Sequence, residues 1–229
     1  MPILSIVVPV LDEAENIRGA LARLAHYRDR NVEVIVADGG SSDGTADLAR
    51  PLADHVLVAP RGRARQMNAG AAAATGDILI FLHCDCVLPD DADHLVLDGL
   101  AQSGTAWGRF DVRIDSRHPL LRVVAMMMNA RSRLTGIATG DQAVFVRKGV
   151  FEQVGHFSDI PLMEDIALSR ALKRISPPLC LRAQVTTSGR RWEKNGVLRT
   201  MILMWRLRLA YFLGVSPASL AKRYGYAVD

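Results

Sequence analysis

The sequence predicts an α/β protein built on a mainly parallel, doubly wound, Rossmann-like sheet, and three observations carry that prediction. Short unbroken apolar runs, Leu4–Val10 and Ile78–Leu82, have the length and β-branched content of strands buried on both faces. Segments of helical periodicity separate such runs, so strand and helix alternate through the first part of the chain, the order from which parallel sheets are wound. Each run then stops on charged or turn-forming residues: Asp12-Glu13, Asp38-Gly39-Gly40, Arg61 to Arg65, and His83-Cys84-Asp85-Cys86. Open α/β sheets bind their ligands beyond the carboxyl ends of strands, which puts these four clusters on one rim.

Taken in order, Leu4–Val10 is the first strand, and Ile17, Leu21 and Leu24 recur after it at helical spacing, giving a helix to about His26. Val32–Ala37 is the second strand and breaks into Asp38–Thr45, a turn-rich loop that opens a helix. His55–Ala59 is the third strand; Arg61, Gly62, Arg63 and Arg65 follow, then an alanine-rich helix to Ala74. Gly76 introduces the central strand. After Pro89 the rhythm changes: a helix over Asp91–Ser103, an alternating, half-exposed strand over Trp107–Ile114, and a Val- and Met-rich helix over Pro119–Leu134. A strand at Ala143–Arg147, a short helix at Glu164–Arg174 and a longer one at Val197–Leu213 complete the pattern. No linker, repeat or low-complexity segment interrupts it, so residues 1–229 read as a single domain.

With 229 residues, 49% of them hydrophobic, the chain can bury a substantial core. The net charge of +4 is unevenly spread: Arg182, Arg190, Arg191, Lys194, Arg199, Arg206 and Arg208 face Glu193 alone, so the late region should attract phosphate or anionic lipid. Nucleic acid is excluded as a partner, because that basic segment has no interleaved aromatic platform and matches no known module. Three cysteines without paired spacing argue against a disulfide framework and fit a reducing compartment. The opening residues have no basic n-region before Asp12 and Glu13, and no apolar stretch is long enough to span a bilayer, so the expectation is a cytoplasmic protein.

His83-Cys84-Asp85-Cys86 is the stretch around which the chemistry is organised. Asp85 at the end of a buried strand is placed to hold a divalent metal under a diphosphate, since Mg²⁺ favours one or two carboxylates plus phosphate oxygens. A capping role in the following turn is the alternative. A zinc site is disfavoured: an extended backbone would point Cys84 and Cys86 away from His83 and Asp85, and Cys180 is the only other cysteine. Acids beside arginines on one rim suit a nucleotide, with carboxylates accepting from base or ribose and arginines meeting phosphate. The Asp38–Thr45 loop lacks the Gly-x-Gly-x-x-Gly spacing, which argues against a nicotinamide site.

Several motifs, in order, resemble those of family-two glycosyltransferases of the GT-A fold. Val8-Pro9-Val10-Leu11-Asp12-Glu13-Ala14-Glu15-Asn16-Ile17 is similar to that family's opening, and Asp38-Gly39-Gly40-Ser41-Ser42-Asp43-Gly44-Thr45 to its second motif. Arg65-Gln66-Met67-Asn68-Ala69-Gly70 resembles its Arg-Asn-x-Gly helix start, His83-Cys84-Asp85 stands in place of Asp-x-Asp, and Met163-Glu164-Asp165 in place of its Glu-Asp pair. The resemblance implies a nucleotide-diphospho-sugar donor, with Pro9, Glu13 and Asp38 at the base and ribose and Arg65 near phosphate. It further implies Mg²⁺ or Mn²⁺ on Asp85, with His83 as second ligand or ribose contact, and Asp165, beside Glu164, as general base in an inverting transfer. Acids that merely begin a helix would look the same.

Ser188-Gly189-Arg190-Arg191-Trp192 is similar to the Gln-x-x-Arg-Trp of polymerising members but has Ser188 for Gln, which implies non-processive transfer with Arg190 or Arg191 clamping the diphosphate. His-x-Asp together with Gly140-Asp141-Gln142 resembles a small bacterial subgroup, some of whose members are linked to arsenosugar biosynthesis. Asp141, Gln142 and Trp107 are the acceptor-side candidates, for a small-molecule or lipid-linked acceptor. On this division residues 1–90 bind the donor, 91–195 carry the acceptor and catalytic half, and 196–229 form terminal helices. The 196–213 helix, apolar along Leu198, Met201, Ile202, Trp205, Leu209 and Phe212 and flanked by arginines, offers peripheral membrane contact or a homodimer surface, the alternative being a helix packed on the sheet with its arginines solvated. The rival functions are sugar-phosphate nucleotidyl transfer, disfavoured because Leu11-Asp12-Glu13 is not a glycine- and lysine-bearing loop, and non-catalytic nucleotide-sugar binding.

Overall fold

A computed structural model describes residues 3–225. Among them, one sheet of eight strands is formed by β1 (Leu4–Val10), β2 (Glu33–Asp38), β3 (His55–Val58), β4 (Ile78–Phe81), β5 (Cys86–Val87), β6 (Trp107–Asp115), β7 (Phe145–Arg147) and β8 (Leu179–Ser188). The helices are α1 (Ile17–Ala22), α2 (Ala25–Asp29), α3 (Thr45–Ala49), α4 (Arg63–Ala73), α5 (Ala92–Ser103), α6 (Pro119–Thr135), α7 (Lys148–Gln153), α8 (Glu164–Leu172), α9 (Arg190–Asn195), α10 (Val197–Phe212) and α11 (Pro217–Tyr224).

The strand order is β3-β2-β1-β4-β7-β6-β8-β5. Its first four strands are parallel, in the register Val10↔Asp38 and Val7↔Phe81, so their carboxyl ends meet on one rim as predicted. β1, β2 and β4 are mostly apolar because both of their faces are covered, whereas the edge strand β3 is partly exposed. Ile6, Val8, Val34, Val36 and Ile80 face one core with Ile17, Leu21 and Val96, while Val7, Ile35, Leu79 and Phe81 face a second with Met67, Phe151 and Leu168. Beyond β4 the sheet becomes mixed. β7 runs antiparallel to β4 and β6, β8 returns parallel to β6, and the two-residue β5 pairs antiparallel with β8.

Several expectations change here. Helix α6 begins with Pro119 at its first turn and ends at Gly136 in a left-handed conformation, a boundary close to the predicted one. The first predicted helix instead breaks into α1 and α2. Trp107–Ile114 was expected to be half exposed, yet β6 is buried from Trp107 to Val112 because β7 and β8 flank it and α6 covers it. β8, the longest strand, and α7 have no counterpart in the predicted elements.

Buried polar groups in this scaffold are largely partnered. Glu33, 6% exposed, accepts from the Ser5 hydroxyl, from the Thr75 N–H at 2.8 Å and hydroxyl at 3.0 Å, and lies 3.5 Å from His55. Asp54 accepts from Arg28 and from the Val34 N–H. At the other end of the chain α10 packs against α6 and α11 but leaves a stripe of Leu198, Ile202, Trp205, Leu209 and Phe212 exposed. Among the described residues no helix is long and apolar enough to cross a membrane.

Candidate active site

A cleft of about 1180 Å³ opens over the carboxyl ends of β1 and β4. Pro9, Glu13, His83, Asp85, Asp141, Glu164 and Asp165 line it, with Arg191, Trp205 and Arg208 from the C-terminal helices.

The stretch after β4 is a turn rather than an extended segment, since the Cys86 N–H donates to the His83 carbonyl at 3.0 Å. The predicted alternation of faces therefore fails for Cys86. Ligand atoms of His83, Asp85 and Cys86 lie within 4.8 Å of one another, while Cys84 packs into the core. Burial drives the Cys86 thiol well above its ordinary pKa, so it keeps its proton and donates to the Asp85 carboxylate at 3.6 Å. What remains is one exposed carboxylate and one imidazole, a donor pair that fits a divalent cation completed by phosphate oxygens and does not fit thiolate-bound zinc. The His83 ring lies so close to Gly140 that a Cβ there would overlap it. Its Nδ1 stands 3.7 Å from Asp141. Burial raises the Asp141 carboxyl, but the hydrogen bond and charge of His83, with Arg63 and Arg191, outweigh it and hold that carboxyl below the ordinary range.

On the β1 side two loops are stitched together. Asp12 accepts from the Ser42 N–H at 2.9 Å, the Glu13 N–H donates to Thr45 at 2.8 Å, and the Ala14 N–H donates to Asp43 at 2.9 Å. Pro9 and Glu13 are thereby held on the cleft wall. Asp38 is not a lining residue: one carboxylate oxygen accepts from the Gly40 and Ser41 N–H groups, and the other is buried without a hydrogen-bond partner.

Met163 in the left-handed region (φ 72°) turns the chain into α8, an uncommon conformation for a non-glycine residue and one found most often where function dictates geometry. It presents Glu164 and Asp165 at the head of α8. Asp165 accepts from the Gly140 N–H at 3.1 Å and from the Ile166 N–H at 2.7 Å, which fixes its carboxylate in the cleft. Glu164 is 4% exposed, 3.5 Å from Arg63, and its carboxyl is raised first by burial and then by the charge of Asp165.

The arginines separate by position. Arg65 lines the cleft but is tied to Asp159 at 2.8 and 3.0 Å. Arg190 turns away from the lining to Asn16 and Ser188, whereas Arg191 lines the cleft with its guanidinium 3.8 Å from the centroid of the Tyr224 ring. Two acceptor candidates do not reach the cleft. Trp107 is fully buried, its indole N–H donating to the Ser176 carbonyl at 2.9 Å. Gln142 is likewise buried, forming a capping box with Thr139. The cleft instead holds two arginines absent from the predicted set, Arg131 on α6 and Arg208 on α10, which in sequence look like any helix-surface cations.

Residues 5–155, more than half of the chain, match the profile of glycosyl transferase family 2. The chain is 28% identical over 176 residues to the PGL/p-HBAD biosynthesis glycosyltransferase of Mycobacterium bovis, covering 69% of this chain and 64% of that one. Among solved structures it is similar to the Pyrobaculum calidifontis mannosyltransferase PcManGT in complex with GDP-Man and Mn²⁺, with a TM-score of 0.66 and 21% identity over 99% of this chain and 66% of that one. It is also similar to Staphylococcus aureus TarS in complex with UDP, with a TM-score of 0.67 and 16% identity over 82% of this chain and 60% of that one. The chain thus spans somewhat under two thirds of each of these proteins. It belongs to glycosyl transferase family 2 and has a GT-A-like fold.

Proposed function

We propose that this member of glycosyl transferase family 2 transfers a sugar from a nucleotide-diphospho-sugar to an acceptor hydroxyl, with inversion, in single non-processive steps. The observation that carries the proposal is the convergence of His83, Asp85 and Asp165 on one cleft. Mn²⁺ or Mg²⁺ held by Asp85 and His83 would supply Lewis-acid stabilisation of the leaving diphosphate, and the imidazole favours Mn²⁺ over the strictly oxygen-seeking Mg²⁺. Arg191, stacked on Tyr224, adds a fixed positive charge for the same diphosphate. Pro9 and Glu13 flank the base and ribose, with Asp38 behind them as support for the loop. Asp165 takes the proton of the acceptor hydroxyl as it attacks the anomeric carbon from the side opposite the departing diphosphate. Asp141 holds the His83 ring, and Glu164 lies buried beside Asp165 with Arg63 at 3.5 Å.

Among the similar structures PcManGT is in complex with GDP-Man and Mn²⁺ and TarS with UDP, and the sugar, base and acceptor of this chain are for assay to find. The likeness to the His-x-Asp subgroup extends the proposal to an acceptor of arsenosugar type. The exposed apolar stripe of α10 beside Arg199 and Arg206 supports a second element: the enzyme works at an anionic membrane surface on a lipid-linked acceptor. Flotation with phosphatidylglycerol vesicles at low and high salt tests that element, and no flotation at either salt removes it.

The central test is Asp165→Asn, assayed for nucleoside diphosphate release across UDP-, GDP- and dTDP-sugars with Mn²⁺ or Mg²⁺. The expected loss of turnover is about 10²–10⁴-fold with donor affinity retained. Undiminished turnover would remove Asp165 as the base. A parent protein that binds donors but never turns them over would be a nucleotide-sugar binder, and release of pyrophosphate would mark nucleotidyl transfer.

A further inference from the structure

Arg131 and Arg208 stand apart from every other buried cation in the molecule. Both line the cleft, on helices α6 and α10 that pack together, and both lie close enough to Asp165 to feel its charge. Neither forms an ion pair or hydrogen bond among the described residues, and the Arg131 Nη2 is fully buried without a partner. By contrast Arg109, fully buried, is paired with Asp111. Desolvation, and then the repulsion of Arg208, push the Arg131 guanidinium down to about 10, and burial lowers Arg208 as well. Two neighbouring, half-buried cations whose nearby counter-charge, Asp165, is paired with neither destabilise the empty protein, and a ligand anion relieves such an arrangement. The donor diphosphate already has the His83–Asp85 turn and Arg191, so the unsatisfied pair belongs to the other substrate.

We propose that Arg131 and Arg208 form an anion subsite for the acceptor, which carries a phosphate monoester or carboxylate group seated between the two guanidiniums while its hydroxyl is presented to Asp165. Arginine suits this task because its planar fork grips both oxygens of such a group. The proposal rests on the transferase reading above and adds the acceptor's chemical class.

The full chain, saturated with UDP and Mn²⁺ to fill the donor side, is titrated calorimetrically with inorganic phosphate, glycerol 3-phosphate and glycerol. Binding of the two phosphates but not of glycerol is expected, weakened at least tenfold in Arg131→Gln and in Arg208→Gln and unchanged in Arg122→Gln, an exposed position on α6. Arg131→Lys and Arg208→Lys, which keep charge but lose the fork, should fall between, and they serve if a glutamine variant does not fold. Phosphatidic acid vesicles, whose headgroup is a phosphate monoester, against phosphatidylcholine ones separate a lipid-borne phosphate from a free one. Equal phosphate affinity in parent and glutamine variants would overturn the subsite. Loss of UDP affinity in those variants would also overturn it, by assigning the arginines to the donor. If the parent fails to bind UDP at all, the transferase reading falls, while a phosphate affinity lost in the two variants would still stand for the anion site.

Discussion

Two glutamates, almost equally buried, have opposite surroundings. Glu33, between β2 and the start of β4, is met by two hydroxyls, a backbone N–H and an imidazole. Glu164, at the head of α8, has Arg63 at 3.5 Å and the repelling charge of Asp165 beside it. The same contrast separates Arg109, paired within β6, from Arg131 and Arg208 in the cleft. Glu33 and Arg109 find hydrogen-bonding or charged partners within the protein, whereas the Arg131 and Arg208 side chains, which line the cleft, form no ion pair among the described residues. Incomplete burial of charge is thus a marker of the ligand side of this fold.

That comparison is broken most directly by exchanging the two glutamates' fates. Glu33→Ala strands the Ser5 and Thr75 donors and should destabilise by about 3 kcal/mol, roughly 6–12 °C in thermal midpoint. Glu164→Gln, which mimics the neutral acid that burial favours, should leave the midpoint unchanged or raise it while turnover drops. Calorimetry of both variants checks this, and equal destabilisation would abolish the distinction. Next in size, Gly140→Ala forces the His83 ring from its seat and should weaken Mn²⁺ binding about tenfold, in the range seen when groups supporting a metal ligand are disturbed. An unchanged metal titration would mean the ring is not held there.

The smallest effect concerns pH. Burial raises Asp54, but the hydrogen bonds from Arg28 and the Val34 N–H, with the Arg28 charge, bring its carboxyl below the unfolded value. It therefore contributes stability present above the unfolded carboxylate pKa, near 4, and lost as the pH falls through its lower folded value. Glu164, held above its unfolded value, works in the opposite sense and favours folding as the pH drops. Asp54→Asn should flatten the acid limb of the stability curve by at most about 1 kcal/mol, because its partner is partly solvated. Urea midpoints between pH 2.5 and 7 measure it, and an unaltered acid limb would show that the Arg28 pair contributes nothing.

β1, β2 and β4 and their rim were legible because each is buried on both faces and is written as a mostly apolar run with polar residues immediately after, whereas the edge strand β3 is partly exposed. Pro9, Glu13, His83, Asp85, Glu164 and Asp165 were found by that logic or by family resemblance. β8 was not legible: its pattern mixes Arg182 and Gln184 with apolar residues, and its partner β6 lies far back in the chain, so no local signal announces the pairing. Trp107 and Gln142 were chosen for their chemistry, yet packing took both inward. Arg131 and Arg208 were passed over for the converse reason, since only the meeting of α6 and α10 distinguishes them from solvated helix arginines.

The two-residue strand β5 carries a mechanical implication. Cys86 and Val87 pair with Thr187 and Thr186, so the segment immediately following Asp85 is laced to the segment immediately preceding Arg191. On the proposed function, a pull on the terminal helices would be transmitted through that lacing to the His83–Asp85 turn, coupling departure of the nucleotide to repositioning of those helices.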